Sequence, residues 1–73
     1  MIYSKPQEIT RARARAGLSM RELSRKADLN IATISKIESR RDSVLPSTAR
    51  RIADTLGKDM EELFTVECKE VEA

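Results

Sequence analysis

Apolar residues recur along this chain at three- and four-residue intervals, in runs broken by short polar stretches. That spacing winds each run onto one side of a helix. Ile9, Ala12 and Ala16 share a face in a first helix from about Pro6 to Ala16, where proline suits the opening turn and Gly17 suits the left-handed stop. Leu23 and Ala27 face inward in a second, which ends near Ala27. Ile34 and Ile37 do so in a third, about Asn30 to Ser39, and Ala49, Ile52, Ala53 and Leu56 form the stripe of a fourth that begins at Pro46 and stops at Gly57. A short fifth helix is expected over Met60 to Phe64. Arg40 to Leu45 reads as a loop.

The polar punctuation agrees with these limits. Ser19 and Glu22 have the spacing of a capping box, with Leu18 and Leu23 as the apolar staple around it. Asn30 is a strong N-cap for the third helix, stapled by Leu29 and Ile34. Asp59 and Glu62 repeat the box before the fifth. Only Asp28 and Leu29, with the cap, separate the second and third helices, and so short a connection favours a steep crossing of the helix-turn-helix kind. In the tail, Val66 and Cys68 alternate with Thr65 and Glu67; a short strand and a frayed end are both compatible with that pattern.

With Ile34 and Ile37 inward, a turn of about 100° per residue points Ala32, Ser35, Lys36 and Ser39 away from the core and puts Ile31 and Thr33 on the flanks. This outward face is small, neutral to basic, and free of acid. Such side chains suit base edges: Ala32 and Ile31 against thymine methyls, Ser35 and Thr33 toward bases or phosphates, Lys36 toward guanine or phosphate. Arg40 and Arg41 follow directly. Arg11 and Arg15 on the first helix, like Arg21 and Arg25 on the second, stand one turn apart, a repulsion that phosphate relieves. Arg11, Arg15, Arg21, Ser39, Arg40 and Arg41 are therefore expected phosphate contacts, although each arginine singly also fits simple solvation. Arg13 and Glu38 lie beside apolar stripes. A partly buried ion pair joining the first and third helices accounts for both; two independent exposed charges are the alternative.

Composition narrows the classes. The chain has 73 residues, two glycines, two prolines and 3% aromatics, a balance for helices rather than a sheet. One thin-cored domain is expected over residues 1–64, with an acidic tail over 65–73. Its net charge of +2 hides an asymmetry: residues 1–51 hold 12 of the 14 Lys and Arg but 5 of the 12 acids. A basic front and an acidic end suit an anionic partner met by one surface. With no histidine, Cys68 lacks the usual activating partner. As the lone cysteine it has no second thiol for an internal disulfide or a metal cluster. Adjacent Glu61 and Glu62 point apart, and no glycine-rich loop is shaped for phosphate. Neither enzyme nor cofactor is expected. With no apolar leader and no apolar run of bilayer length, a cytoplasmic protein is expected, off the membrane.

From Ile9 to Phe64 the chain resembles the Cro/C1-type helix-turn-helix regulators, the XRE family. The likeness is carried in order by Arg13, Gly17-Leu18-Ser19, Leu23, Leu29, Asn30, Thr33-Ile34-Ser35, Ile37-Glu38, Pro46-Ser47-Thr48-Ala49, Ile52-Ala53, Leu56-Gly57 and Glu62-Leu63-Phe64. The resemblance implies an all-α, five-helix, lambda-repressor-like domain of bacterial or phage kind, with residues 19–39 as the reading unit. It also implies a two-fold homodimer on double-stranded DNA with half-sites about one turn apart, and the Arg13–Glu38 pair. Three positions depart from the usual pattern: Met20 stands where glutamine opens the second helix, Ser24 where alanine is common, and Asp28 where the turn has glycine. The expected function is sequence-specific DNA binding and repression by promoter occlusion. The rival is a protein-interaction module, such as an antitoxin or accessory factor; the acidic end with Leu63, Phe64, Val66 and Val71 reads as its partner surface, or equally as the dimer contact or the edge of the core.

Overall fold

All five punctuated segments fold as helices in the computed structural model, which describes residues 1–66. In chain order the elements are β1 (Ile2–Ser4), α1 (Pro6–Arg15), α2 (Met20–Ala27), α3 (Ile31–Ser39), β2 (Ser43–Val44), α4 (Pro46–Leu56), α5 (Met60–Leu63) and β3 (Phe64–Val66). Pro6 and Pro46 each sit in the first turn of their helices. Gly17 and Gly57 follow α1 and α4 at φ of 73° and 66°, the left-handed conformation that lets the next residue bond back to the helix. Thus the Leu18 N–H donates to the Arg13 carbonyl at 3.1 Å, and that of Lys58 to Ala53 at 3.0 Å. α1 stops one residue early, and Ala16, expected on the buried face, is exposed at its cap.

Apart from Ala16, the stripes of the first four helices form the core the periodicity predicts, and Ile2, Leu63 and Phe64 join it. Ile9, Leu23, Ile34, Ala49 and Ile52 are fully buried, and Ala12, Ala27, Ile37, Ala53, Leu56, Leu63 and Phe64 pack with them. α3 rests on α1 and α2, and α2 on α4. The turn between α2 and α3 runs through Asp28, which takes φ 58° and ψ 48°. That conformation costs an L-residue free energy that glycine would not lose. Arg51 of α4 offsets part of it by donating to the Asp28 carbonyl at 3.2 Å. Ser24 is buried and tolerated because its hydroxyl donates to the Arg21 carbonyl at 2.7 Å, and Met20 packs its side chain against the core.

The all-α expectation needs correcting. A small antiparallel sheet of order β2-β1-β3 accompanies the five helices. Ile2 pairs with Val44 on one side and Val66 on the other, and Ser4 pairs with Phe64. The stretch expected to be a loop therefore contains β2. The fifth helix ends at Leu63 rather than Phe64, because Phe64 turns its ring into the core from an extended backbone. Two or three residues are too few to display an alternating pattern, and their partners lie some 40 or 60 residues away. The remaining tail, with Cys68 and Val71, lies outside the described residues.

Candidate nucleic-acid interface

α3 is held by its ends and its inner face, which leaves one side open. The Asn30 side chain accepts from the Ala32 N–H at 2.8 Å and caps the N-terminus. Upstream, the Ser19 hydroxyl accepts from the Glu22 N–H at 3.1 Å, and the Glu22 carboxylate accepts from the Ser19 N–H at 2.9 Å. That contact with the Ser19 N–H, helped by the Ser19 hydroxyl and by Lys26 and Arg25, holds the Glu22 carboxyl below its ordinary value of 4.5. Both helices of the expected reading unit are thus fastened by their own first turns.

The inner side of α3 carries a denser tether. Arg13 grips Glu38 side-on, its Nε donating to Oε2 at 2.7 Å and its Nη2 to Oε1 at 2.9 Å. Its third nitrogen donates to the Leu18 carbonyl at 2.8 Å, so one guanidinium joins α1, the turn after it, and α3. The side chains are only 17% and 6% exposed. The pair expected from the sequence is present. Thr10, one turn before Arg13, completes it by donating to Glu38 Oε1 at 3.0 Å. Sequence reasoning passed over Thr10, although its three-residue offset from Arg13 puts both on the same side of α1.

Of the expected base-contacting residues, Ile31, Ala32, Ser35 and Lys36 are exposed and Thr33 is half-buried. Ile31 is 43% exposed, an apolar side chain left in the open at the start of the helix. The outward side bears no carboxylate. Beside it, Thr33 and Lys36 form one wall of a cleft of about 200 Å3 whose other wall is Ser43, Val44, Leu45 and Thr48.

The expected phosphate contacts divide. Arg40 and Arg41 continue directly from α3; both are exposed, Arg40 lies 3.9 Å from Asp42, and the Arg41 guanidinium carbon lies 4.2 Å from the ring centre of Tyr3. Arg21 is exposed on α2. The Ser39 hydroxyl donates to the Ser35 carbonyl one turn back, and so presents lone pairs outward rather than a proton. Arg11 and Arg15 do not join this group. They line a depression with Glu8, Lys58 and Glu62 on the side of α1 that faces α5, away from the Thr10–Arg13 side that meets α3, and Arg11 pairs with Glu8 at 3.5 Å. Of the readings open for the acidic end, Leu63 and Phe64 fit the core, where both are buried, whereas Val66 is 44% exposed. No helix among the described residues is long and apolar enough to cross a membrane.

No curated protein and no solved structure matches the chain at a significant level. A family model described as "Helix-turn-helix" does match, over residues 9–63. Those limits run from the first core residue of α1 to the end of α5 and contain both capped helices, the turn between them and the Arg13–Glu38 tether. The chain belongs to the Cro/C1-type helix-turn-helix family, the XRE family of DNA-binding transcription regulators.

Proposed function

We propose that this protein reads a specific double-stranded DNA sequence by laying α3 in the major groove, and that it represses transcription by occluding a promoter as a two-fold dimer in the cytoplasm, at the nucleoid. The observation that carries the reading is the outward face of α3: small, capped, without a carboxylate, and followed at once by Arg40 and Arg41. A helix fits the major groove only if its groove-facing side chains let it approach the base edges, and an acid there would be repelled by the phosphates. Ile31, Ala32, Thr33, Ser35 and Lys36 are assigned to base edges. Arg21, Arg40 and Arg41 are assigned to phosphates, and Ser39 joins them when its hydroxyl rotates outward. Arg11 and Arg15, on the far side of α1, act through the long-range field rather than by contact.

A two-fold dimer suits this reading because one short helix spans too few base pairs for a unique site, and a symmetric pair doubles the number read. The rival protein-interaction reading loses two of its four apolar residues, since Leu63 and Phe64 are core, and keeps Val66, which is exposed. The test is a binding series with random and selected duplexes across salt concentrations. A steep salt dependence, about 0.9 log units of affinity per log unit of salt for each neutralised phosphate, with a palindromic selected site, is the expected result. Indifference to duplex DNA in dilute buffer overturns the proposal. Selected sites without two-fold symmetry would remove the dimer alone.

A further inference from the structure

β1 lies outside the residues that match the family, yet it holds the segment leaving α3. Ser4 is 1% exposed, and its N–H donates to the Asp42 carbonyl at 2.8 Å. Its hydroxyl donates to the Arg40 carbonyl at 3.0 Å and accepts from the Asp42 N–H at 3.0 Å. The peptide groups on either side of Arg41 are therefore both tied to one side chain. Because a strand turns successive residues to opposite faces, Tyr3 points the other way, and its ring meets the Arg41 guanidinium carbon at 4.2 Å. Two consecutive residues thus contact the backbone and the head group of the same arginine.

We propose that Tyr3 and Ser4 are positioning residues for DNA binding, which present Arg41 in a preset pose as a phosphate clamp at the end of α3. This rests on the DNA-binding reading above. A guanidinium carries five N–H donors on its rim, and contact of its carbon with a ring uses none of them. A long side chain that is ordered before binding loses less freedom when the phosphate arrives, and the complex gains affinity without a new contact. The strand thereby adds to affinity while touching no base, so its effect is the same on every sequence.

The test uses the full chain, unaltered and as Tyr3→Leu, Tyr3→Phe, Arg41→Ala and the double variant Tyr3→Leu/Arg41→Ala, titrated with a random and a selected duplex over a salt series. Leucine keeps apolar bulk on the strand and removes the ring face; phenylalanine restores it. Tyr3→Leu is expected to weaken both duplexes by about five-fold, and Tyr3→Phe to bind as the unaltered chain does. Arg41→Ala lowers the salt slope by about 0.9 per protomer, and adding Tyr3→Leu to it costs nothing more. Equal losses from Tyr3→Leu in both backgrounds mean simple strand packing and overturn the inference, as does full affinity of Tyr3→Leu. If the unaltered chain itself ignores DNA, it is the parent reading that has failed, a result distinct from either of these.

Discussion

Two side-chain arrangements, one buried and one exposed, obey opposite rules. Arg13 and Glu38 are valuable because they are hidden. Their charges are mutually satisfied in a nearly dry site, so removing one strands the other. Arg13→Ala is expected to lower unfolding free energy by about 3 kcal/mol in urea titrations. The double change Arg13→Met/Glu38→Leu should cost less than that single change, since neither leaves a charge behind. A double variant as unstable as the single one would show that the pair's geometry, rather than the orphaned carboxylate, matters. In the proposed groove contact, Lys36 and Ser35 matter because they are bare. Lys36→Ala or Ser35→Ala should relax preference at one or two base positions by about 1–3 kcal/mol, read as relative affinities for single-base variants of the selected site. Arg40→Ala should weaken all duplexes alike. Uniform losses from all three changes would contradict the groove assignment.

At the scale of the element, the helix-turn-helix unit is built from local signals. Ser19 and Glu22 satisfy each other's exposed backbone donors, and Asn30 does the same for α3. Ser19→Ala or Asn30→Ala is expected to cost about 1 kcal/mol of stability, measured by thermal or denaturant unfolding. The Glu22 contact also has a pH signature. Its carboxyl is held below the ordinary 4.5 in the fold, so the folded state favours the ionised form. The resulting stabilisation is complete above that ordinary value and fades as pH falls through the lower folded value. Glu22→Gln should therefore remove part of the acid sensitivity below about pH 4.5 while leaving the curve near neutrality parallel. An unchanged acid limb would refute the assignment. The turn after α2 is a different case: Asp28 is strained, and the tether from Arg51 that offsets the strain comes from α4.

Over the whole molecule, the sheet ties the two ends of the described chain to the segment after α3. Ser4 reaches partners 36 and 38 residues away through one hydroxyl. Ser4→Ala would leave the Arg40 carbonyl without that donor and the Asp42 N–H without that acceptor, in a partly buried place. It is expected to cost about 2 kcal/mol, with faster amide exchange at Asp42 as the local signature. A cost near zero without faster exchange would mean that water replaces the hydroxyl readily. α3 is thus tied at both ends: a cap bonds its start, and a strand from near the N-terminus bonds the segment beyond its last turn.

The chain's own pattern was sufficient for the five helices, their caps, the buried stripe, the Arg13–Glu38 tether and the bare face of α3. Each depends on residues a few positions apart, where helical geometry alone brings side chains together, or on a charge misplaced beside apolar neighbours. The sheet, the seat of Phe64 in β3, the place of Thr10 and the Tyr3–Arg41 contact were decided only by the tertiary fold. So was the separation of Arg11 and Arg15 from the α3 face. These depend on which way whole helices turn and on contacts between distant segments, and two- or three-residue strands are too short to announce themselves. Local free energies shape a helix, whereas pairing across 40 or 60 residues becomes favourable only after the core has brought those segments side by side.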